Sequence, residues 1–477
     1  MLNFYYRSKE IVGVRIRNNS RDLLAILFLV LVTVFTRLPF MNWPLISDEG
    51  GYAYTSIWWF RGLTLYSDQL WFDRPQAIFL IYKLGLSLFG NETWAIRFWG
   101  SLWAAGTAVF VFFIGYRLGN LTTALLAGGI FVLYSGLPFI EGFTANAEVF
   151  AAFFSVACVF FLLEGRTGLA GLLGSVAFLT KPAAVSILIF ALIWIAMNHR
   201  SWRTLLAFFG GAIIIPVISL IHGILSVGFN DYLYAIVLFR LSFRDKLDLL
   251  SQLNNILHTL PVWAPLCLLT VFSAKYLNRD RSKFIFLWLF SALFGMAIGG
   301  NWWRHYFIQV IPPLAVGAAF GIRYLSGKKI AGKIVTSVIF IIPVIVYSIF
   351  AIIPPNIGSW LLYQRRGYQI ADRVATYLRS NTAADETIYI AFAEADIYWL
   401  ADRRSSYPHI YRLEVQHIPG AYDRIIKMIE EKVPTYILAL DSPVVVNKTT
   451  ESLMTPLNEN YHIVNTFDGI PLYKRDE

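Results

Sequence analysis

The chain has 477 residues, of which 57% are hydrophobic, 16% aromatic and only 15% charged. A soluble globular protein has about 25% charged residues, so this composition indicates a protein embedded in lipid. We interpret the formal net charge of +10 as loop charge that sets membrane topology, not as a nucleic-acid-binding surface. Cys158 and Cys267 both lie in apolar runs, too few for a disulfide framework or a thiolate metal cluster.

Apolar segments recur along the chain as far as Ile353. Crossing a hydrocarbon core of roughly 30 Å takes about 20 apolar residues, and the pattern predicts about eleven membrane spans. The first has no cleavable signal features, so we expect it to be retained. The predicted spans are Leu23 to Leu38, Phe98 to Tyr116, Leu121 to Ile140, Val149 to Leu163, Leu169 to Thr180, Pro182 to Met197, Thr204 to Val227, Leu260 to Ala274, Phe284 to Gly300, Tyr306 to Gly321 and Ile334 to Ile353.

The segment from Pro75 to Phe89 is apolar but short and carries Lys83, so the positive-inside rule decides its placement. If it lies along the outer surface, the Lys- and Arg-rich connections all become cytoplasmic and the acidic or mixed loops become external. We therefore expect a multi-pass protein of the plasma (inner) membrane with a cytoplasmic N-terminus. The same count places everything after Pro354 outside the cell.

Composition changes after Pro354 to that of a soluble domain. We expect a helical membrane domain at residues 1–356, whose outer loop 41–93 carries Asp48-Glu49, and an extracytoplasmic α/β domain at 357–477. Within the latter, periodicity predicts helices and strands. The predicted helices are Arg366 to Leu378 and Asp423 to Glu431, and the predicted strands are Thr387 to Phe392 and Thr435 to Leu440. No phosphate-binding loop or dinucleotide fingerprint occurs, which argues against a nucleotide-activated substrate.

Ionisable residues collect at the outer edge of the predicted membrane region, where such residues are costly and usually functional. A carboxylate could accept a proton from an acceptor, and cations could hold a departing phosphate. A lipid phosphate leaves as an anion, so a general acid is not needed, and a single base gives inversion at the anomeric carbon. The candidates are Arg37, Asp48, Glu49, Asp73, Arg74, Arg97, Glu141, Asn146, Glu148, Lys181, Arg240, Arg244, Arg304 and His305.

Each candidate also has a purely structural interpretation. Juxtamembrane arginines can reach to lipid headgroups, and acidic residues or asparagine commonly cap helices. A Lys-Pro pair between two apolar stretches is typical of a helical hairpin turn. Headgroup contact would explain Arg37 and Arg97, and a hairpin turn would explain Lys181-Pro182. Helix capping or a helix start would explain Asp48-Glu49, Asp73-Arg74-Pro75 and Asn146 with Glu148. His305 would be an interfacial histidine.

These motifs resemble the polytopic GT-C glycosyltransferases related to protein O-mannosyltransferases and lipid A aminoarabinose transferases. The resemblance spans the membrane region and rests on the order and common side of short motifs. They are Thr36-Arg37-Leu38, Asp48-Glu49, Phe72-Asp73-Arg74-Pro75, Ala95-Ile96-Arg97, Glu141 through Glu148, Thr180-Lys181-Pro182, and Arg304-His305-Tyr306-Phe307 ahead of Pro312-Pro313-Leu314. The chain departs from the family pattern at Gln76, where relatives often have a second proline, and at Gly50-Gly51.

The resemblance implies a GT-C fold, an outward-facing site and a polyprenyl-phosphate-linked sugar as donor. It implies that Asp48 is the catalytic base, that Glu49 supports it, and that Asp73 positions sugar or base. The implied phosphate-binding residues are Arg37, Arg74, Arg97 and Lys181, with Arg304 and His305 as weaker candidates. Glu141, Asn146, Glu148, Arg240 and Arg244 are placed near the acceptor or sugar. Neither a catalytic metal nor another cofactor is implied, and membrane lipids are the remaining expected partners.

Three other functions fit parts of the sequence. A transporter or lipid flippase also has many spans with charged residues, although no internal repeat occurs and the charges gather near one face. An oligosaccharide-transferring enzyme would carry a Trp-Trp-Asp motif, whereas Arg304 follows Trp302-Trp303 here. A membrane scaffold that binds carrier lipid without turnover is the third.

For the glycosyltransferase, the predicted acceptor is a glycan, a lipid or a protein.

Overall fold

A computed structural model describes residues 20–198, 201–242, 247–327, 329–391, 394–439 and 449–477 of the chain. The fold is mostly helical, with a small sheet near the C-terminus, as the sequence predicts. The helices before residue 353 are α1 (Ser20–Phe35), α2 (Ser47–Phe60), α3 (Ala77–Phe89), α4 (Thr93–Leu118), α5 (Leu121–Ser135), α6 (Ala147–Leu163), α7 (Thr167–Thr180), α8 (Val185–Asn198), α9 (Trp202–Val227), α10 (Phe229–Leu233), α11 (Phe239–Ser242), α12 (Leu249–Ser273), α13 (Arg279–Ile298), α14 (Ile311–Ser326) and α15 (Lys329–Ile352).

Seven helical segments of the described chain are long and apolar enough to cross a membrane. They are Ser20–Phe40, Thr93–Leu118, Trp202–Val227, Leu249–Ser273, Arg279–Ile298, Arg304–Ser326 and Gly332–Ile352. The other predicted spans coincide with apolar helices of 10–17 residues, as does the segment predicted to lie on the membrane surface. The hydropathy pattern therefore located the helices correctly, while the predicted count of spans exceeds the number that meet the length requirement.

After residue 353 the chain forms α16 (Pro355–Tyr363), α17 (Arg366–Asn381), α18 (Asp396–Ala401), α19 (Arg412–His417), α20 (Ala421–Glu430) and α21 (Thr449–Asn460). Its strands are β1 (Thr387–Ile390), β2 (Arg404–Ser405), β3 (Tyr436–Leu438), β4 (Tyr461–Phe467) and β5 (Ile470–Arg475). They form one sheet in the order β2-β1-β3-β5-β4, parallel at β2-β1-β3 and antiparallel at β3-β5-β4. Both predicted helices and both predicted strands of this region are present, and the predicted strand ends Phe392 and Leu440 lie outside the described residues.

Packing divides the chain into two compact units. The first, here the helical unit, contains Met1–Phe40, Arg97–Ile218 and Lys246–Ile352; the second, here the mixed unit, contains Met41–Ile96, Ser219–Asp245 and Ile353–Glu477. The loop that precedes Arg97 thus packs in one unit with the C-terminal residues, whereas composition alone places a boundary near residue 356.

Burial distinguishes central from peripheral helices of the helical unit. In an apolar 18-residue stretch of Arg304–Ser326, 83% of the residues are buried within the protein. In the corresponding stretch of Trp202–Val227 the share is 11%, and the apolar side chains of this helix face outward. Such an outward apolar surface suits lipid, because lipid tails solvate it without cost.

A buried hydrogen-bond network fixes the start of α3 in the mixed unit. Gln76 Nε2 donates to the carbonyl of Ser219 over 3.1 Å, and Ser219 Oγ donates to Gln76 Oε1 over 2.5 Å. Tyr232 Oη donates to the same amide oxygen over 3.1 Å, and Gln76 Nε2 lies 3.2 Å from His222 Nδ1. A proline at this position could not replace these bonds. The departure from the family pattern at Gln76 therefore has a structural reason.

Candidate functional site

A chain of four ionisable side chains lies within the helical unit. Lys181 Nζ is 2.6 Å from Glu148 Oε1, and His305 Nδ1 is 2.8 Å from Glu141 Oε2. His305 Nε2 lies 3.9 Å from Glu148 Oε1 and so connects the two pairs. Glu148 is fully buried, and a buried carboxylate of this kind needs a cationic partner. Lys181 and His305, predicted to bind phosphate, are thus held against carboxylates.

Local backbone geometry produces this arrangement. Asn146 caps α6, because its side chain accepts a hydrogen bond from the amide of Ala147 over 2.8 Å. Glu141 adopts a left-handed conformation with φ 54°, which is uncommon outside glycine and aims its carboxylate at His305. Lys181 ends α7 just before the short helix Pro182–Ala184. Asn146 therefore caps a helix and Lys181-Pro182 forms a turn between two helices, as the structural interpretations predict. The same cap and turn position Glu148 and Lys181 for their ion pair.

Arg37 and Arg97 are buried inside the helical unit, at 2% and 1% exposure. Arg37 donates to the carbonyl of Thr33 over 3.2 Å and to Ser135 Oγ over 3.0 Å. The Arg97 guanidinium lies 5.0 Å from the centre of the Phe143 ring. This burial contradicts the interpretation of both residues as side chains that reach to headgroups. Arg304 is partly exposed and begins the short helix Arg304–Val310.

Asp48 and Glu49 lie in the first turn of α2, in the mixed unit, and have different surroundings. Glu49 is fully buried, and its carboxylate accepts a hydrogen bond from the amide of Ile46 over 3.1 Å. This contact stabilises the start of the helix, where backbone amides have no partner within the helix. Asp48 is half-buried. Of the two carboxylates, Asp48 is the more exposed.

Asp73 lies between two arginines in the mixed unit. One carboxylate oxygen is 2.7 Å from Arg74 Nη1, and the other forms an ion pair with Arg240. Burial acts to raise the pKa of Asp73, but the positive charges of Arg240 and Arg74 outweigh it and hold this pKa below its ordinary value. The cluster therefore carries a net positive charge. Arg240 is 41% exposed, so its guanidinium can meet a ligand. Arg244 lies outside the described residues.

Glu414 is an acidic residue of this unit that the sequence did not single out. It is buried, and Glu414 Oε2 lies 3.5 Å from the amide of Tyr411 and 3.9 Å from His409 Nδ1. Burial, and next the negative charge of Asp73, raise the pKa of Glu414 well above its usual range. Its surroundings therefore favour the neutral form of the Glu414 carboxyl group beside Asp73, and no local sequence pattern marks this residue.

Gly50 and Gly51 permit a close approach between α2 and the C-terminal residues. A Cβ atom at Gly50 would overlap the backbone of Asp396, and one at Gly51 would overlap the hydroxyl of Tyr411. Glycines inside a helix lower its stability, so a pair of them usually has a packing reason. The departure from the family pattern at Gly50-Gly51 is explained by this contact.

Asp396, which faces Gly50, is fully buried and neighbours the buried Glu394. Burial, and next the charge of Glu394, raise the pKa of Asp396 well above its ordinary value. The raised pKa favours the protonated form of Asp396 in the folded protein, so the stability that this group contributes falls as pH rises above the ordinary aspartate pKa of about 4. We expect Asp396→Asn to flatten this pH dependence, measured as the unfolding temperature in detergent across a pH series.

The matched control for this prediction is Asp402→Asn. Asp402 is 51% exposed and forms a surface ion pair with Arg61 at 2.6 Å. This variant should keep the pH slope of the wild-type protein, because Asp402 lies at the surface and not in the buried acidic pair. Equal slopes for Asp396→Asn and the wild type would contradict the assignment of a buried protonated group.

The two units contain different sets of ionisable side chains. The mixed unit has a half-buried carboxylate, Asp48, and a cationic cluster formed by Arg74 and Arg240 with Asp73. The helical unit has buried arginines and a neutralised chain of ion pairs. Among the described residues, no three His, Cys, Asp or Glu side chains converge as metal ligands. The mixed unit thus brings a partly exposed carboxylate and two arginines into one compact unit.

Residues 73–222 match the family model described as dolichyl-phosphate-mannose-protein mannosyltransferase. The matched range includes Asp73, Arg74, Arg97 and Lys181. An uncharacterized protein of Aquifex aeolicus is 24% identical over 332 residues, which are 64% of this chain and 76% of that protein. The match to the family model thus begins at the predicted Asp73-Arg74 motif.

Solved structures share the fold over nearly the whole chain. ArnT from Cupriavidus metallidurans, bound to undecaprenyl phosphate, superposes with a TM-score of 0.64 and 14% identity, covering 94% of this chain and 97% of that one. The oligosaccharyltransferase AglB from Archaeoglobus fulgidus was solved in complex with an inhibitory peptide and a dolichol-phosphate. It superposes with a TM-score of 0.58 and 14% identity, covering 96% of this chain and 74% of that one. The predicted resemblance to GT-C enzymes and the predicted fold class are confirmed.

Proposed function

We propose that the protein is a membrane glycosyltransferase that transfers a sugar from a polyprenyl phosphate carrier to an acceptor on the outer side of the plasma membrane. The match of residues 73–222 to a mannosyltransferase family carries this proposal. The fold shared with ArnT and AglB supports it, because those structures were solved with undecaprenyl phosphate and dolichol-phosphate. The acceptor is a hydroxyl or amine of a glycan, lipid or protein.

In the proposed reaction, Asp48 is the general base. The acceptor oxygen or nitrogen attacks the anomeric carbon as the bond from that carbon to the phosphate oxygen breaks, which inverts the configuration. The acceptor proton passes to the Asp48 carboxylate, and the bonding electrons leave with the polyprenyl phosphate. A positioned general base raises the reaction rate by roughly 10²–10⁴-fold. Glu49, already bound to the Ile46 amide, supports the helix start and not the proton transfer.

Arginines stabilise the departing phosphate in this proposal. Arg74 and Arg240 are held by Asp73, which fixes their guanidinium groups while the cluster remains positive. Charge-assisted hydrogen bonds from arginine suit phosphate oxygens, since the planar guanidinium can donate two at once. Arg37, Arg97 and Lys181 are further phosphate-binding candidates, with Arg304 and His305 less favoured.

The test is mass spectrometry of lipid-linked sugars and envelope glycans from cells with and without the gene, followed by turnover of the accumulated lipid by the purified protein. We expect one polyprenyl-phosphate sugar to accumulate and one glycan to lose a sugar. A transporter or flippase would move the lipid across vesicles without forming free polyprenyl phosphate. Movement without that product would overturn the proposal.

A further inference from the structure

Ser47, directly before Asp48, has each of its polar groups bonded to a C-terminal residue of the mixed unit. Its amide donates to Tyr368 Oη over 3.2 Å, and its hydroxyl accepts from the amide of Ala395 over 3.2 Å. Its carbonyl accepts from Tyr411 Oη over 3.0 Å. These partners lie 321, 348 and 364 positions away in sequence. Ser47 is therefore fixed from outside its own segment.

Tyr411 contacts both motifs of the predicted outer loop. Its ring packs edge-to-face on Phe72, next to Asp73, with ring centres 5.3 Å apart. Its hydroxyl occupies the space that a side chain at Gly51 would need. Burial, and next the negative charge of Asp48, raise the pKa of Tyr411 well above its usual value, so the hydroxyl keeps the proton that it donates.

We propose that this three-bond clamp on Ser47 orients the Asp48 carboxylate, so that Tyr411 and Tyr368 are positioning residues for the general base. The inference rests on the proposed function. A base must lie within hydrogen-bond reach of the proton that it removes, and a displacement of about 1 Å can cost roughly 10²-fold in rate. The C-terminal residues thereby become part of the catalytic apparatus.

The test variant is Tyr411→Phe, which removes the hydroxyl and keeps the ring. We expect kcat to fall at least about 10-fold, since the helix start loses one of its fixing bonds, with the KM for the lipid-linked donor within about twofold of wild type. The matched control is Tyr407→Phe, because Tyr407 Oη donates to a backbone carbonyl as well, that of Ala421, over 3.2 Å. This control should keep the wild-type kcat.

A double variant separates positioning from general structural support. In the Asp48→Asn background, Tyr411→Phe should lower the residual rate no further, because the group that it orients is gone. Additive losses, or equal kcat for Tyr411→Phe and Tyr407→Phe, would overturn the inference. If Tyr411→Phe does not fold, Tyr368→Phe tests the same clamp through the Ser47 amide.

Failure of the inference and failure of the proposed function give different results. Full activity of Asp48→Asn would remove the proposed base itself, whatever Tyr411→Phe does. Loss of activity in Asp48→Asn, combined with wild-type kcat in Tyr411→Phe, would remove only the positioning role.

Discussion

Asp48→Asn is expected to lower the turnover of the lipid-linked donor by about 10²–10⁴-fold, the range over which a general base contributes. Asparagine keeps the size of the side chain and removes its ability to accept a proton. Because Asp48 is half-buried at the start of α2 and asparagine has nearly the same shape, the unfolding temperature should change little. Turnover is measured as release of polyprenyl phosphate by the purified protein.

Asp68→Asn is the control for this variant, because Asp68 is an exposed aspartate of the same segment. It should retain the wild-type turnover. Glu49→Gln should also remain active, since its amide oxygen can still accept the hydrogen bond of the Ile46 amide. A folded Asp48→Asn variant with undiminished turnover would show that another group removes the acceptor proton.

Gly50→Ala is expected to produce the second large effect, because the added methyl group would overlap the backbone of Asp396. Helix propensity alone predicts that alanine stabilises α2 by about 0.5–1 kcal/mol. Overpacking typically costs about 1–3 kcal/mol, and backbone atoms cannot move aside as a side chain does. We therefore expect a lower unfolding temperature and a loss of turnover, measured on the same purified sample.

Gly210→Ala is the control for Gly50→Ala, and we expect it to cause no loss of stability or turnover. Gly210 lies within α9, and a Cβ atom there would meet no atom within 4 Å. Alanine should leave turnover unchanged and the unfolding temperature equal or higher, since only the backbone preference changes. If both glycine variants behaved alike, the close approach of α2 to Asp396 would not limit the fold.

Hydropathy predicted the helices because lipid imposes both apolar composition and length on a spanning segment. In the C-terminal region, α17 and α20 were predictable from one-sided apolar periodicity, which reflects burial of one face. The β4-β5 hairpin was missed, although Asp468-Gly469 adopts φ 48° and 84° between the strands. An Asp-Gly pair between strand-like runs is a strong hairpin signal, so this element was predictable in principle.

The contacts that fix Ser47 were not predictable from a single sequence. Tyr368 and Tyr411 lie in segments whose local patterns say nothing of a partner more than 300 positions away. Gly50-Gly51 was the one local sign, because adjacent glycines in a helix indicate a close backbone approach. It indicated that something approaches α2, without indicating what.

The assembly of the mixed unit from three distant segments bears on how the protein is made. Ser47 leaves the ribosome long before Tyr368, which follows 321 positions later. At about 5–20 residues per second, the start of α2 therefore waits roughly 15–65 s for Tyr368, the first of its partners. A nascent or truncated chain without these residues lacks their bonds to Ser47, so the proposed positioning of Asp48 is acquired only late in translation.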